Sequence, residues 1–174
     1  MKNKKVFFIV EASVIAAIYT VLTSVLWEFS SFAIQVRVSE ALSVLPAFSA
    51  GAVPGLFVGC LISNLLRGNI IDAVFGSLTT LLSAYLGRII HKKVSGKLGL
   101  YLMLMPSVVL NAVAVPLILY YGYGLSSFAG FEGTGAVLAA YAVSVLIGQS
   151  LSCYGLGIPL YYVLKRIYKN IGKI

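Results

Sequence analysis

Four ionisable side chains, Arg37, Glu40, Arg67 and Asp72, interrupt a Gly- and Pro-broken apolar stretch over residues 35 to 80 that opens with Gln35-Val36-Arg37-Val38-Ser39-Glu40. A carboxylate accepts hydrogen bonds on two oxygens and a guanidinium donates from a rigid fork, so these groups can recognise the polar edges of a small molecule. Among residues suited to lipid they are costly unless they face a cavity or a partner, which makes them functional candidates. The stretch is therefore predicted to hold a ligand site. Asn64, Asn111 and Gln149 add amides at interior positions of apolar runs. Hydrogen bonding between helices is the other reading of such amides.

Covalent chemistry finds little support. The one histidine, His91, lies in a basic segment with no carboxylate nearby and reads as a solvated loop residue. No metal-ligand cluster and no nucleophile beside a base is present, so neither a metal nor a cofactor is expected. Gly96-Lys97 is followed by Leu98 and lacks the first glycine of a phosphate-binding loop, so the chain has no means of hydrolysing ATP by itself. Cys60 and Cys153 fall inside apolar runs and read as small buried hydrophobes.

The elements that position these groups must lie in a bilayer. Of 174 residues, 60% are hydrophobic and 10% charged, and the mean hydropathy is +0.99, a composition no soluble globule accommodates. The net charge of +8 sits in short loops and at the termini. Positive-inside topology and anionic headgroups account for it, and nucleic-acid binding is not expected. Met1-Lys2-Asn3-Lys4-Lys5 reads as a retained cytoplasmic anchor.

Charge also counts the spans. Apolar runs occupy about 6 to 27, 41 to 66, 70 to 90, 100 to 121 and 135 to 164. Five crossings would put His91-Lys92-Lys93 and the basic C-terminus outside, against the positive-inside rule. Run 41 to 66 is too long for one ordinary span and is broken by Pro46, Gly51 and Pro54. Splitting it yields six helices at about 5–29, 40–49, 53–66, 70–90, 99–122 and 135–165, in a single all-α integral membrane domain over 1–174. Of 13 Lys and Arg, eleven (Lys2, Lys4, Lys5, Arg88, Lys92, Lys93, Lys97, Lys165, Arg166, Lys169, Lys173) then lie in the cytoplasm with both termini, leaving Arg37 and Arg67 outside. A pocket opening outward follows, lined in part by the two short helices.

Small residues form two stripes. Gly51, Gly55, Gly59 and Ser63 repeat every fourth position, and Ala12 and Ala16 stand one turn apart on the first helix. Both permit close helix approach, within the bundle or against a partner.

The string Val36-Arg37-Val38-Ser39-Glu40-Ala41-Leu42, with Leu45-Pro46, Pro54-Gly55-Leu56, Gly59-Cys60, Asn64, Asp72, Phe75-Gly76-Ser77-Leu78-Thr79-Thr80-Leu81 and Gly157-Ile158-Pro159-Leu160, resembles the queuosine-precursor transporter family (QueT), substrate-binding S components of energy-coupling factor transporters. The resemblance spans essentially the whole chain and is densest over 36 to 82. It implies a six-helix S-component bundle in the bacterial cytoplasmic membrane, capture of a deazaguanine outside, and coupling to a transmembrane T component with two ATPase subunits. It also implies that Ala12 and Ala16 match the AxxxA contact by which S components dock on the T component.

The residue chemistry is compatible with a deazapurine. One carboxylate accepts the N1–H and exocyclic amine of a guanine edge, and an amide suits the carbonyl. Glu40 is the expected acceptor, its alternative being a salt bridge to Arg37. Asp72 either balances an aminomethyl cation or caps the fourth helix. Asn111 and Gln149 are the amides expected in the pocket, with Asn64 as a further candidate. Trp27, Phe75, Tyr120 and Tyr121 either stack on the base or belong to an interfacial belt. An S component for another vitamin such as biotin or thiamin, or a structural membrane protein or channel, are the competing readings; no polar stripe of the kind a channel needs repeats along the helices.

Overall fold

A computed structural model of the chain describes residues 2–26, 36–94 and 96–170. Six helices account for nearly all of it. The first, α1, runs Lys2–Val25. The second, α2, is a 3-10 helix over Val38–Ala47, and α3 spans Ala52–Leu66. α4 opens with a π-helical turn, Asp72–Gly76, and continues through Ser77–Lys93. α5 covers Gly96–Leu117 and closes on a second π turn, Ile118–Gly122. α6 is continuous over Thr134–Asn170, with a π segment at Leu151–Leu156. α1, α4, α5 and α6 are long and apolar enough to cross a membrane, whereas α2 and α3 are shorter apolar helices. The protein is thus a multi-pass helical membrane protein. Bands of exposed aliphatic side chains, such as Val10, Val14, Ile18 and Val21 on α1, supply its lipid-facing surface.

The glycine stripe is spent inside the bundle. A Cβ on Gly55 would lie 2.8 Å from the Ala12 carbonyl oxygen, and one on Gly59 would lie 2.7 Å from Tyr19 Cβ. α1 and α3 therefore touch backbone to backbone, the approach that small residues every fourth position allow. Ala16 is buried under this contact, Ala12 is half-buried, and the neighbouring Ser13 and Ala17 are the exposed small residues of that face. α4 and α5 approach as closely at Gly87, where a Cβ would stand 2.5 Å from the Met103 carbonyl oxygen.

α2 is the axis of the fold, packed by α1, α3, α4, α5 and α6. Three residues per turn eclipse positions i and i+3, so its ten residues sort into three rows. Ser39, Leu42 and Leu45 face α1 and α3, where Leu42 joins Ile15, Tyr19, Leu56 and Cys60. Ala41, Val44 and Ala47 face α5 and α6; Val44 packs with Met103, Leu104 and Cys153, and Gly157 lets α6 approach the Ala41 carbonyl oxygen. Glu40, Ser43 and Pro46 form the third row. Helices on every side thus cover the segment, which is why most of it is buried despite its two serines and a glutamate.

The two ends of the bundle differ in charge. At the end holding both termini, Arg88 donates to the Pro46 carbonyl over 2.6 Å, and Lys4, His91 and Lys165 share one cavity. The opposite end carries Arg37, Arg67, Asp72 and a short hairpin, Ser127–Phe128 paired with Phe131–Glu132. Its two-residue turn, Ala129-Gly130, has positive φ at both positions (50° and 82°), as hairpins of this length require. The hairpin occupies the connection between the helices expected at 99–122 and 135–165.

Candidate functional site

Glu40 lies in the first turn of α2 and is 2% exposed. The Tyr19 hydroxyl donates to its Oε1 over 2.6 Å, and the Ser43 hydroxyl, one 3-10 turn along the same row, reaches Oε2 at 3.4 Å. A second α1 residue supports the same turn: Thr23 donates to Ser39 Oγ over 2.7 Å. From the other side, the Cys153 thiol stands 3.7 Å from the Glu40 carbonyl oxygen and 3.8 Å from Gln149 Oε1. Cys153, in the π segment of α6, thus links the Glu40 backbone to the Gln149 side chain. Gln149 is 2% exposed and its amide also carries two N–H donors.

A second cluster lies toward the Arg37 end. Arg37 Nη2 and Asp72 Oδ2 form an ion pair at 3.3 Å. Asn64 donates to the Asp72 carbonyl oxygen at 3.2 Å and reaches Cys60 Sγ at 3.5 Å, which ties α3 to the π turn that opens α4. The Asp72 backbone N–H points at the Tyr123 hydroxyl, 3.5 Å away. Asp72 Oδ1 is buried and has no hydrogen-bond partner among the described residues. Burial opposes the charge of Arg37, but the fields of Asp72 and then of Tyr19, Cys60 and Glu40 outweigh it, so the guanidinium holds its proton more firmly than usual. Arg67 donates to the Thr23 carbonyl oxygen, fastening α3 to the end of α1.

Two of the alternative readings differ from what forms. Glu40 is bound by Tyr19 and Ser43, while Arg37 goes to Asp72: Arg37 precedes α2 in extended conformation (φ −97°, ψ 97°), so the i, i+3 geometry that would bring it to Glu40 does not exist. Asp72 caps no helix, because the helical conformation already includes Ile70 and Ile71 and turns its carboxylate toward Arg37. Among the remaining candidates, Asn111 is buried and donates back to the Ser107 carbonyl oxygen of its own helix at 2.8 Å. Tyr120 is half-buried and shares a 2.7 Å hydrogen bond with Thr134 at the rim. Phe75 and Tyr121 line an apolar groove of about 680 Å³ on the outer surface between α4 and α5. Trp27 lies outside the described residues. His91 falls in the last turn of α4 instead of a solvated loop, with its ring edge-on to Tyr161 at 5.9 Å.

The sequence reading missed Tyr19, Thr23, Ser39 and Ser43, and it took both cysteines as hydrophobes although Cys60 and Cys153 each join a polar chain. Thr80 completes the Cys60 side, its hydroxyl 3.5 Å from Sγ. A signal for two of these was present: Tyr19 is the single tyrosine of α1, and Thr23 follows one turn later on the same face. A buried carboxylate, an amide and an ion pair are thus gathered in one half of an apolar bundle.

A family model described as QueT transporter matches residues 9–166. Among curated proteins, the queuosine precursor transporter QueT of Lactococcus lactis subsp. cremoris (strain MG1363) is 37% identical over 89 residues, covering 50% of this chain and 53% of that protein. The match thus spans about half the length of that relative. No solved structure matches.

Proposed function

The chain belongs to the QueT transporter family, and on that premise we propose that it is the substrate-binding S component of an energy-coupling factor transporter, importing a queuosine precursor of the 7-deazaguanine class. The observation that carries the reading is the state of Glu40. Each carboxylate oxygen has two acceptor positions, and Tyr19 and Ser43 occupy one on each. One acceptor remains on either oxygen, which suits the parallel N1–H and amino donors of a guanine edge. Gln149 beside it supplies N–H donors for the ring carbonyl. The unpartnered Oδ1 of Asp72 suits the cation of a 7-aminomethyl group.

The positive-inside rule puts the termini in the bacterial cytoplasm and the Arg37 end outside. Energy would come from partners, a transmembrane T component with two ATPase subunits, docked on the α1 face that carries Ala12 and Ala16. Ala16 is itself covered by α3, so the half-exposed Ala12 with Ser13 and Ala17 forms the accessible part of that face.

Calorimetric titration of the purified subunit tests the substrate. Binding of 7-aminomethyl- or 7-cyano-7-deazaguanine, with no heat from biotin or thiamin, is expected. Binding of either vitamin without the deazaguanines would replace this reading by the other-vitamin one.

A further inference from the structure

The end that holds the termini contains a cavity of about 730 Å³, far from Glu40 and unused by the function above. Lys4 and Glu11 reach it from α1, Phe48 from the turn after α2, His91 from α4, and Tyr161 and Lys165 from α6. Two lysines from opposite ends of the chain thus border one space, and neither forms an ion pair with a carboxylate among the described residues. Lys165 Nζ lies 5.9 Å from the Tyr161 ring centre. His91 Nδ1 is buried with no hydrogen-bond partner among the described residues. The apolar wall is aromatic: the Phe48 ring centre is 5.1 Å from those of Tyr161 and Tyr168.

We propose that this cavity seats the headgroup of an anionic phospholipid, with Lys4 and Lys165 on the phosphate and Glu11 accepting from headgroup hydroxyls. The charges select the ligand. Two lysines call for an anion, yet Glu11 would repel a compact multivalent one such as free phosphate. A phosphodiester carrying hydroxyls, as in phosphatidylglycerol, satisfies both demands. Position agrees: the lysines sit in the first turn of α1 and near the end of α6, where a span meets the headgroup layer, and basic pockets between helices at that level bind acidic lipids. The exposed Val10 and Val14 continue down α1 as a path for an acyl chain.

Native mass spectrometry of the detergent-solubilised protein, titrated with phosphatidylglycerol or phosphatidylcholine of the same chains, tests this. Phosphatidylglycerol is expected to bind and phosphatidylcholine to bind at least tenfold more weakly. Both lysines are exposed, so Lys4→Gln/Lys165→Gln folds and loses affinity for phosphatidylglycerol by about fivefold per lysine, or about twenty-fivefold together. Lys92→Gln/Lys169→Gln removes the same charge from the same end outside the cavity and is expected to stay within twofold of the parent. Equal losses in the two double variants would reduce the effect to diffuse surface charge and overturn the site. Equal binding of phosphatidylcholine, or displacement of the lipid by inorganic phosphate at matched concentration, would overturn it as well.

Discussion

Tyr19 and Glu40, 21 residues apart, share a buried hydrogen bond of 2.6 Å in which the phenol donates to the carboxylate. The only tyrosine of α1 therefore fixes the orientation of a carboxylate on α2, and a ligand at the proposed site would meet a group that is already aimed.

Tyr19→Phe keeps the ring that packs against Leu56 and Cys60 and removes only the donor. A hydrogen bond to a charged acceptor is worth about 1.5–3 kcal/mol. Deazaguanine affinity is expected to fall about tenfold or more by calorimetric titration, with a lower melting temperature for the ligand-free protein. Unchanged affinity would leave Tyr19 a packing residue.

Glu40→Gln retains size but presents an amide NH₂ where two ligand donors arrive. The lost charged bond and the mispaired donor together weaken binding by about tenfold to a hundredfold. The preference for a 7-deazaguanine over a 7-deazaadenine analogue is expected to narrow with it, since a site built for those donors rejects ligands lacking them. Titration of both proteins with both ligands decides whether Glu40 reads the base edge.

Arg37 and Asp72 are 14% and 9% exposed at their side chains, so breaking the pair strands a nearly buried charge. Arg37→Met alone is expected to destabilise the protein by about 3–5 kcal/mol, whereas Arg37→Met with Asp72→Leu recovers most of the loss. Thermal unfolding of the singles and the double variant reads the coupling; strictly additive effects would mean that the two groups are energetically independent.

Gly59→Ala places a methyl 2.7 Å from Tyr19 Cβ. Overpacking of this kind costs about 1–3 kcal/mol, and here it also displaces the residue that aims Glu40. Both stability and ligand affinity are expected to drop, while Gly135→Ala, which meets nothing within 4 Å, changes neither.

Orientation in the membrane is checked by thiol labelling after Cys60 and Cys153 are replaced by Ala. Gly130→Cys, in the hairpin turn, is expected to react with an impermeant reagent in intact cells, and Lys97→Cys only in opened ones. Labelling of Lys97→Cys from outside would invert the bundle and place the Glu40 site on the cytoplasmic side.

Six helices were legible because basic residues and the breaks at Pro46, Gly51 and Pro54 are written in residue types. The winding of α2 was not, since a ten-residue apolar segment with two serines has the same composition at three residues per turn as at 3.6. The alternative pairing of Arg37 with Glu40 was as hard to judge. Arg37 and Glu40 are spaced for a contact only if both are helical, and the extended backbone at Arg37 sends its side chain to Asp72, 35 positions away. Tyr19 went unnoticed because a tyrosine in a membrane helix resembles any other aromatic until its hydroxyl is seen to face a carboxylate. The hairpin rests on positive φ at Ala129, a residue that carries no such preference.

α2 begins at the Glu40 cluster and ends where Arg88 grips the Pro46 carbonyl. Ten residues at about 2.0 Å each reach about 20 Å; at the α pitch of about 1.5 Å they would reach only about 15 Å. The tighter winding therefore carries the chain about 5 Å further between the Glu40 cluster and the Arg88 anchor than an α-helix of the same ten residues would.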